Sequence, residues 1–326
     1  MEKLIKKSFL AALATLAMMF SATDGRAEDP FGAREQTVHE RGNVRVTARV
    51  QGGYLTGEAN EFVYWPQKGG HTASQLIWQI DDIYMVGTGI SVSPISWLTI
   101  SGDIFVNVAD GGGTMDDYDW LLPGYDWTDW SHHENVDVTQ GFIWDFSTEM
   151  TPFPHSPVKL IGIIGYRADS WEWEARGGTY VYSQDSFRDT EGSFPANDLG
   201  ITYEQNFYVP YLGLGLVADL GPLVIKARVM GSTIAWGEAN DFHHMRGLET
   251  KDEFEMESWI GVDVSGEFRF GPNLGLRASF NYSDYDTMKG DAEWNYLYEN
   301  KYLYLDDGAG ADLSTTMFAL SFLVNF

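Results

Sequence analysis

Met317-Phe318-Ala319-Leu320-Ser321-Phe322-Leu323-Val324-Asn325-Phe326, the final ten residues, alternate with period two. Phe318, Leu320, Phe322, Val324 and Phe326 fall on one face of an extended chain. Ala319, Ser321 and Asn325 fall on the other, with Met317 and Leu323 as apolar exceptions. A strand with hydrocarbon outside and a polar lumen inside has this pattern. The reading therefore moves the chain into a membrane.

The N-terminus agrees. Lys3, Lys6 and Lys7 precede an apolar stretch, Phe9 to Phe20, that is too short to span a bilayer. Gly25-Arg26-Ala27 then offers small residues where a signal peptidase reads. Residues 1–27 are expected to be a cleaved signal peptide, with the barrel domain occupying 28–326. No later run of about eighteen apolar residues follows; the best, Gly213 to Ala227, is broken by Asp219 and Pro222. Only helices and closed barrels satisfy the backbone in hydrocarbon, so the expected fold is all-β, an antiparallel transmembrane barrel. The expected location is the outer membrane of a Gram-negative cell.

Composition fits. Hydrophobic residues reach 44%, yet mean hydropathy is −0.23, as expected if half of each strand is polar. Aromatic residues, at 15%, are enough for interfacial girdles. There is no cysteine, which excludes a thiol nucleophile. The net charge of −26 excludes a phosphate-binding surface for nucleic acid and suits cationic partners.

Alternating stretches predict ten strands, an even number as such barrels require. They cover Val44–Val50, Gln75–Val86, Trp97–Val108, Val138–Met150, Val158–Trp173, Tyr203–Leu216 and Leu223–Trp236. An eighth has Phe254, Met256, Ile260, Val264 and Phe268 on one face; a ninth runs from Leu274 to Tyr282, and the terminal run closes the set. Short turns are expected at Ser93-Pro94, Thr151–Pro154, Asp219–Pro222 and Gly271–Asn273. Long extracellular loops are expected at 57–74, 109–136, 174–200, 237–256 and 284–312. They hold most of the acids and both His pairs, and function on such a scaffold lives in its loops or lumen.

Three clusters stand out. Asp117 and Asp119 are two apart, so on extended chain their carboxylates share a face, and like charges held close can share a proton. The plainer reading is an acidic loop or a weak cation site. Asp241 and His243 have the same spacing, and a carboxylate beside an imidazole fixes its tautomer and raises its basicity. The plainer reading there is an exposed ion pair. Adjacent His243 and His244 point to opposite faces of a strand, which argues against one metal ion on both. In the third cluster Ser131 lies near His133, but no nucleophile-elbow sequence accompanies it, which argues against a serine hydrolase.

Together these residues resemble the omptin family of outer-membrane endopeptidases. Ala175-Arg176-Gly177-Gly178-Thr179-Tyr180-Val181-Tyr182-Ser183 is the most specific stretch, with Phe187-Arg188-Asp189 and Gly192-Ser193-Phe194-Pro195 after it. Trp127-Thr128-Asp129 with Ser131 and His133 is a second match; Ser74-Gln75-Leu76 with Trp78, and Met115 with Asp117, Asp119 and Trp120, are others. The resemblance implies a tall ten-stranded barrel with a catalytic groove at its extracellular rim, an aspartic-type endopeptidase without metal or cofactor. It implies that His243 activates a water, Asp241 orients His243, and Asp117 with Asp119 forms the opposing couple. Ser131 and His133 match supporting groove residues.

It further implies cleavage beside basic residues. Glu61 matches the acid at the bottom of the pocket for the residue before the cut, and Asp129 an acid near the residue after it. A second pocket acid usually stands two positions before the dyad Asp; here that position is Ala239, with Glu238 one step further as the candidate to compensate. Family members bind lipopolysaccharide through basic residues on the outer wall. Tyr166 is retained, but Ala168, Ser170, Asn206 and Glu257 stand where the acid and three cations of that motif align. The expected partners are a cationic peptide or protein and outer-membrane lipid, with the chain a monomer. The competing reading is a non-catalytic anionic barrel that captures cationic surfaces as an adhesin.

Overall fold

The computed structural model describes residues 44–154 and 156–326. The expected signal peptide, and the first residues of the expected barrel domain, lie outside the described residues. The strands are β1 (Arg45–Trp65), β2 (His71–Ile95), β3 (Leu98–Asn107), β4 (Gly111–Asp119), β5 (Asp129–Met150), β6 (Val158–Arg176), β7 (Thr179–Tyr182), β8 (Thr190–Ser193), β9 (Leu199–Asp219), β10 (Leu223–His243), β11 (Leu248–Arg269), β12 (Leu274–Tyr296) and β13 (Lys301–Asn325).

These make a closed ring of ten antiparallel staves. β3 and β4 are two halves of one stave, each lying between β2 and β5. The β7–β8 hairpin pairs with β5 just beyond the end of β6. The terminal strand that decided the fold is the closing stave: β13 pairs with β1 from Thr47 opposite Asn325 to Val63 opposite Ala309. Closure pairs each of the ten described staves on both sides, as hydrocarbon demands.

Outside, the lower part of the barrel is an apolar belt. Phe318, Leu320 and Phe322 face outward from β13, and Leu212, Leu214 and Leu216 from β9, each about half exposed or more. An aromatic girdle tops the belt: Trp144, Tyr166, Trp236 and Tyr208 form a chain of ring contacts with centres 5.2 to 6.1 Å apart. Inside the same half, charges pair along the lumen wall, with Arg49 on Asp103 (2.8 Å), Arg167 on Asp169 (2.7 Å) and Arg228 on Asp263 (3.1 Å). Above them the lumen is plugged by Trp78, Trp171, Trp173 and Tyr203, all fully buried, with Trp78 and Tyr203 stacked at 5.4 Å. Side chains fill this small barrel, so it is not an open pore.

Many staves carry an irregularity near the top of the belt. In β10 four residues, 232–235, separate Gly231 from Trp236, whereas three, 209–211, separate their partners Leu212 and Tyr208 on β9. One extra residue is a bulge, and it turns every later side chain to the other face. β2 does the same beside Asp82, whose φ is 57°: Ile83 faces inward below the bulge and Ile80 inward above it.

The bulges correct part of the sequence reading. Phe254 was expected on the lipid face with Met256 and Ile260; in β11 it points inward and is buried, while those two remain exposed. The five long loops are also corrected. Four of them are mostly strand, with tips at 66–70, 120–128, 244–247 and 297–300, whereas 177–198 stays a long connection that carries the short β7–β8 hairpin. Outside the bilayer a strand no longer needs an apolar outer face, so the alternation that marks a lipid-facing stave disappears there. The short turns fall close to where expected, except that the first lies at Ser96-Trp97 rather than Ser93-Pro94.

Candidate active site

Above the plug, the raised staves enclose a cleft of about 560 Å³. Asp117 and Asp119 reach it from β4, and Asp241 and His243 from β10. The two strands are four staves apart one way round the ring and six the other, so the pairs approach from nearly opposite walls. The bulge at 232–235 is what aims Asp241 and His243 inward.

His243 Nε2 stands 2.6 Å from Asp241 Oδ2. This is ion-pair distance without regular hydrogen-bond geometry, and both Asp241 oxygens are otherwise unpartnered. A carboxylate on that side favours the tautomer with its proton on Nε2, leaving Nδ1 as the basic nitrogen. Nδ1 meets the Nη2 of Arg246 at 2.5 Å. Arg246 sits on the tight 244–247 turn, whose backbone is closed by its own N–H donating to the His243 carbonyl (3.2 Å). An arginine thus reaches into the cleft from the chain itself, a feature no spacing pattern had suggested.

Ser74 Oγ donates to Asp117 Oδ1 (3.1 Å). Burial pushes Asp117 up to about 6, with Arg246 and Ser74 pulling back. Burial and then the neighbouring Asp117 push Asp119 up to about 8. The couple therefore holds a proton near neutral pH, the behaviour of carboxylates crowded away from water.

The other expected site residues divide. Asp129 borders the cleft opposite Asp119 on the β4–β5 ladder, where its Oδ1 accepts the Ser183 N–H (3.0 Å). Ser131 and His133 also line it, 3.3 Å apart from Oγ to Nε2. His133 is stacked on Phe194, its Nδ1 has no partner, and burial lowers it to about 4. A histidine without a carboxylate behind it does not make a Ser-His-Asp triad. Gly178 holds this corner: at φ 112° a side-chain carbon there would come within 2.9 Å of the His133 ring. Glu61 lies deep in the cleft and is almost fully buried.

Glu238 does not join them. It is exposed on the outer face, where the Tyr208 hydroxyl donates to it at 3.4 Å, because its odd-numbered neighbours Gly237 and Ala239 take the inward positions. His244 likewise leaves the cleft and meets the Thr202 hydroxyl (2.9 Å). Among the described residues no group of His, Asp and Glu has the arrangement of a metal site. On the outer wall, Ser170 pairs with Asn206 across the β6–β9 ladder and Ala168 with Tyr208, so neither rung presents a cation.

The chain is 29% identical over 248 residues to the plasminogen activator of Yersinia pestis, covering 76% of this chain and 78% of that one. It is 25% identical to the outer membrane protease OmpP of Escherichia coli, covering 94% and 96%. The crystal structure of outer membrane protease OmpT from Escherichia coli superposes with a TM-score of 0.82 at 24% identity, over 86% of this chain and 97% of that one, so the barrel is shared. The model of the Omptin family matches residues 43–326, the whole barrel, and the chain belongs to that family.

Proposed function

We propose that this chain is an outer-membrane endopeptidase that opens its cleft to the cell exterior and cuts polypeptides beside basic residues. One observation carries the reading: an Asp–His pair and an Asp–Asp pair from nearly opposite staves line one cleft that is closed beneath. His243 takes a proton from a water as that water attacks the scissile carbonyl carbon. Asp241, against Nε2, orients the ring and stabilises the imidazolium that forms. The protonated Asp117/Asp119 couple hydrogen-bonds the oxyanion of the tetrahedral intermediate. His243 then returns its proton to the departing amine, the C–N bond breaks, and the couple is left as it began. The scheme uses only side chains and water.

Charge supports the substrate class. Glu61, Asp117, Asp119, Asp129, Asp241 and Asp252 give the cleft an excess of acid, with Arg246 the arginine among its lining residues. The chain is expected to work as a monomer, since each pair comes from the same ring. It is expected to need lipopolysaccharide little, because Ala168, Ser170, Asn206 and Glu257 supply no cation for a lipid phosphate. Activity that is nil in detergent and fully restored by lipopolysaccharide would contradict that second point.

Asp241→Ala and His243→Ala, assayed on a quenched peptide with an Arg-Arg or Lys-Arg centre, should lower kcat by about 10²- to 10⁴-fold. Cleavage unchanged in both variants would overturn the mechanism. Binding of the same cells by both variants, with cleavage lost, would show that any adhesive role rests on the anionic rim alone.

A further inference from the structure

Glu61 and Asp252 face the same deep part of the cleft from β1 and β11, at 4% and 5% exposure. Glu61 Oε2, Asp252 Oδ1 and the hydroxyl of Thr250 are buried and unpartnered. The Trp78 indole N–H is near Glu61 but has no regular hydrogen bond to it. Arg246 borders the cleft too, yet it acts on Asp117 and Asp119 rather than here. Three acceptors without a donor, walled off from bulk water, are costly unless something arrives to satisfy them.

The register shows where Asp252 comes from. β10 and β11 form a hairpin in which His243 pairs with Leu248, Asp241 with Thr250 and Ala239 with Asp252. Ala239 is the inward position that carries no acid, and its methyl group leaves the facing space open. Asp252 fills the same rung from the neighbouring strand.

We propose that Asp252, with Glu61, forms the pocket that receives the basic side chain of the substrate, the acid absent at Ala239 being supplied from across the ladder. The proposal rests on the endopeptidase reading. An entering ammonium or guanidinium brings several N–H donors to the three empty acceptors and offsets the buried negative charge. Thr250 supplies a neutral acceptor in the same cleft. Asp252 is thereby a specificity residue, and the reacting bond stays with His243 and the Asp117/Asp119 couple. Burial, and the nearby Asp241, hold Asp252 well above the usual carboxylate range, and Glu61 likewise. A bound cation would draw both carboxyl groups toward their charged forms.

The test expresses the full chain in the outer membrane of a Gram-negative host and uses matched peptides. These differ only in the residue before the cut: arginine, lysine, citrulline or norleucine. The wild type should prefer arginine over citrulline by at least about 10²-fold in kcat/KM, since a site built on charged hydrogen bonds rejects an uncharged analogue. Asp252→Asn should reduce that ratio by about tenfold or more, mostly through KM, and Ala239→Asp placed on top of it should restore the ratio to within about threefold. A purely packing role would not be rescued from the opposite strand. An unchanged ratio in Asp252→Asn, with Glu61→Gln collapsing it, would overturn the assignment. Should Asp252→Asn fail to fold, Asp252→Glu decides: its longer arm shortens the pocket and should shift preference from arginine toward lysine, and no shift rejects the proposal. A wild type that cuts none of the peptides refutes the endopeptidase reading itself, a different outcome from any of these.

Discussion

The lower half of the barrel and the half that rises above the girdle are built from the same ten staves under opposite rules. Below, leucine and phenylalanine face out and ion pairs face in. Above, polar residues such as Asn240 and Glu238 face out, and the interior holds an aromatic plug and a ring of acids. The bulges between them, at Asp82 in β2 and 232–235 in β10, let each half set its own inward face. The lower half answers to lipid and the upper half to chemistry. A phase shift of one residue is the device that separates the two demands.

The largest effect should come from removing that device. Deleting Thr233 would bring β10 back into step with β9 and turn Asp241 and His243 outward. Cleavage should fall by about 10³-fold or more, the loss of a general base with its orienter. The lower barrel should still form, as read by the heat-dependent mobility of the folded protein in gels. Retained cleavage would break the comparison.

Next comes Asp119→Asn, which separates function from stability in the upper half. Activity should drop by about 10²-fold as the shared proton loses its place. Stability should move the other way. The folded pKa of Asp119 is raised from 3.8 to about 8, so the folded protein favours the neutral acid. The cost of ionising it is absent below about pH 4 and complete above about pH 8. The variant should therefore melt higher than wild type at pH 9 and equally at pH 4, measured by calorimetry in detergent. A lower melting temperature at pH 9 would show the couple to be structural.

Smaller again is a test of the outer surfaces. Leu214→Arg, in the belt, should cost about 2–4 kcal/mol in urea-induced unfolding from liposomes, whereas Asn240→Arg, above the girdle, should stay within about 0.5 kcal/mol. Equal costs would mean the bilayer reaches higher than the girdle.

The smallest effect concerns Arg246. Its guanidinium meets Nδ1 of His243 at the cleft. It is exposed and screened by water, so Arg246→Ala should raise kcat/KM on dibasic peptides by only about two- to fivefold. A fall instead would make it a positioning residue for the ring.

The lower half was legible from the chain because lipid imposes period two over whole staves, and strands such as Leu98–Asn107 and Leu274–Tyr296 start close to where alternation begins. The paired spacing of Asp117 with Asp119 and of Asp241 with His243 was legible for the same reason: neighbours two apart share a face on any strand. The upper staves were read as loops because their outer residues answer to water and lose the pattern. Glu238 was assigned to the cleft by nearness in sequence, and the strand turned it outward. Asp252 was missed, although one signal was present. Gly247, at φ 57°, closes a tight four-residue turn, and a hairpin folded over 244–247 sets Asp252 against Ala239.

The chain alone determined a closed membrane barrel and two same-face pairs of titratable side chains, since both follow from local alternation and the composition of facing residues. Which wall each pair occupies, which way it points, and that Asp252 shares the cleft were decided only by the tertiary structure. Bulges and ladder register join residues far apart in sequence, and a single inserted residue reverses a face without leaving a mark in the local pattern.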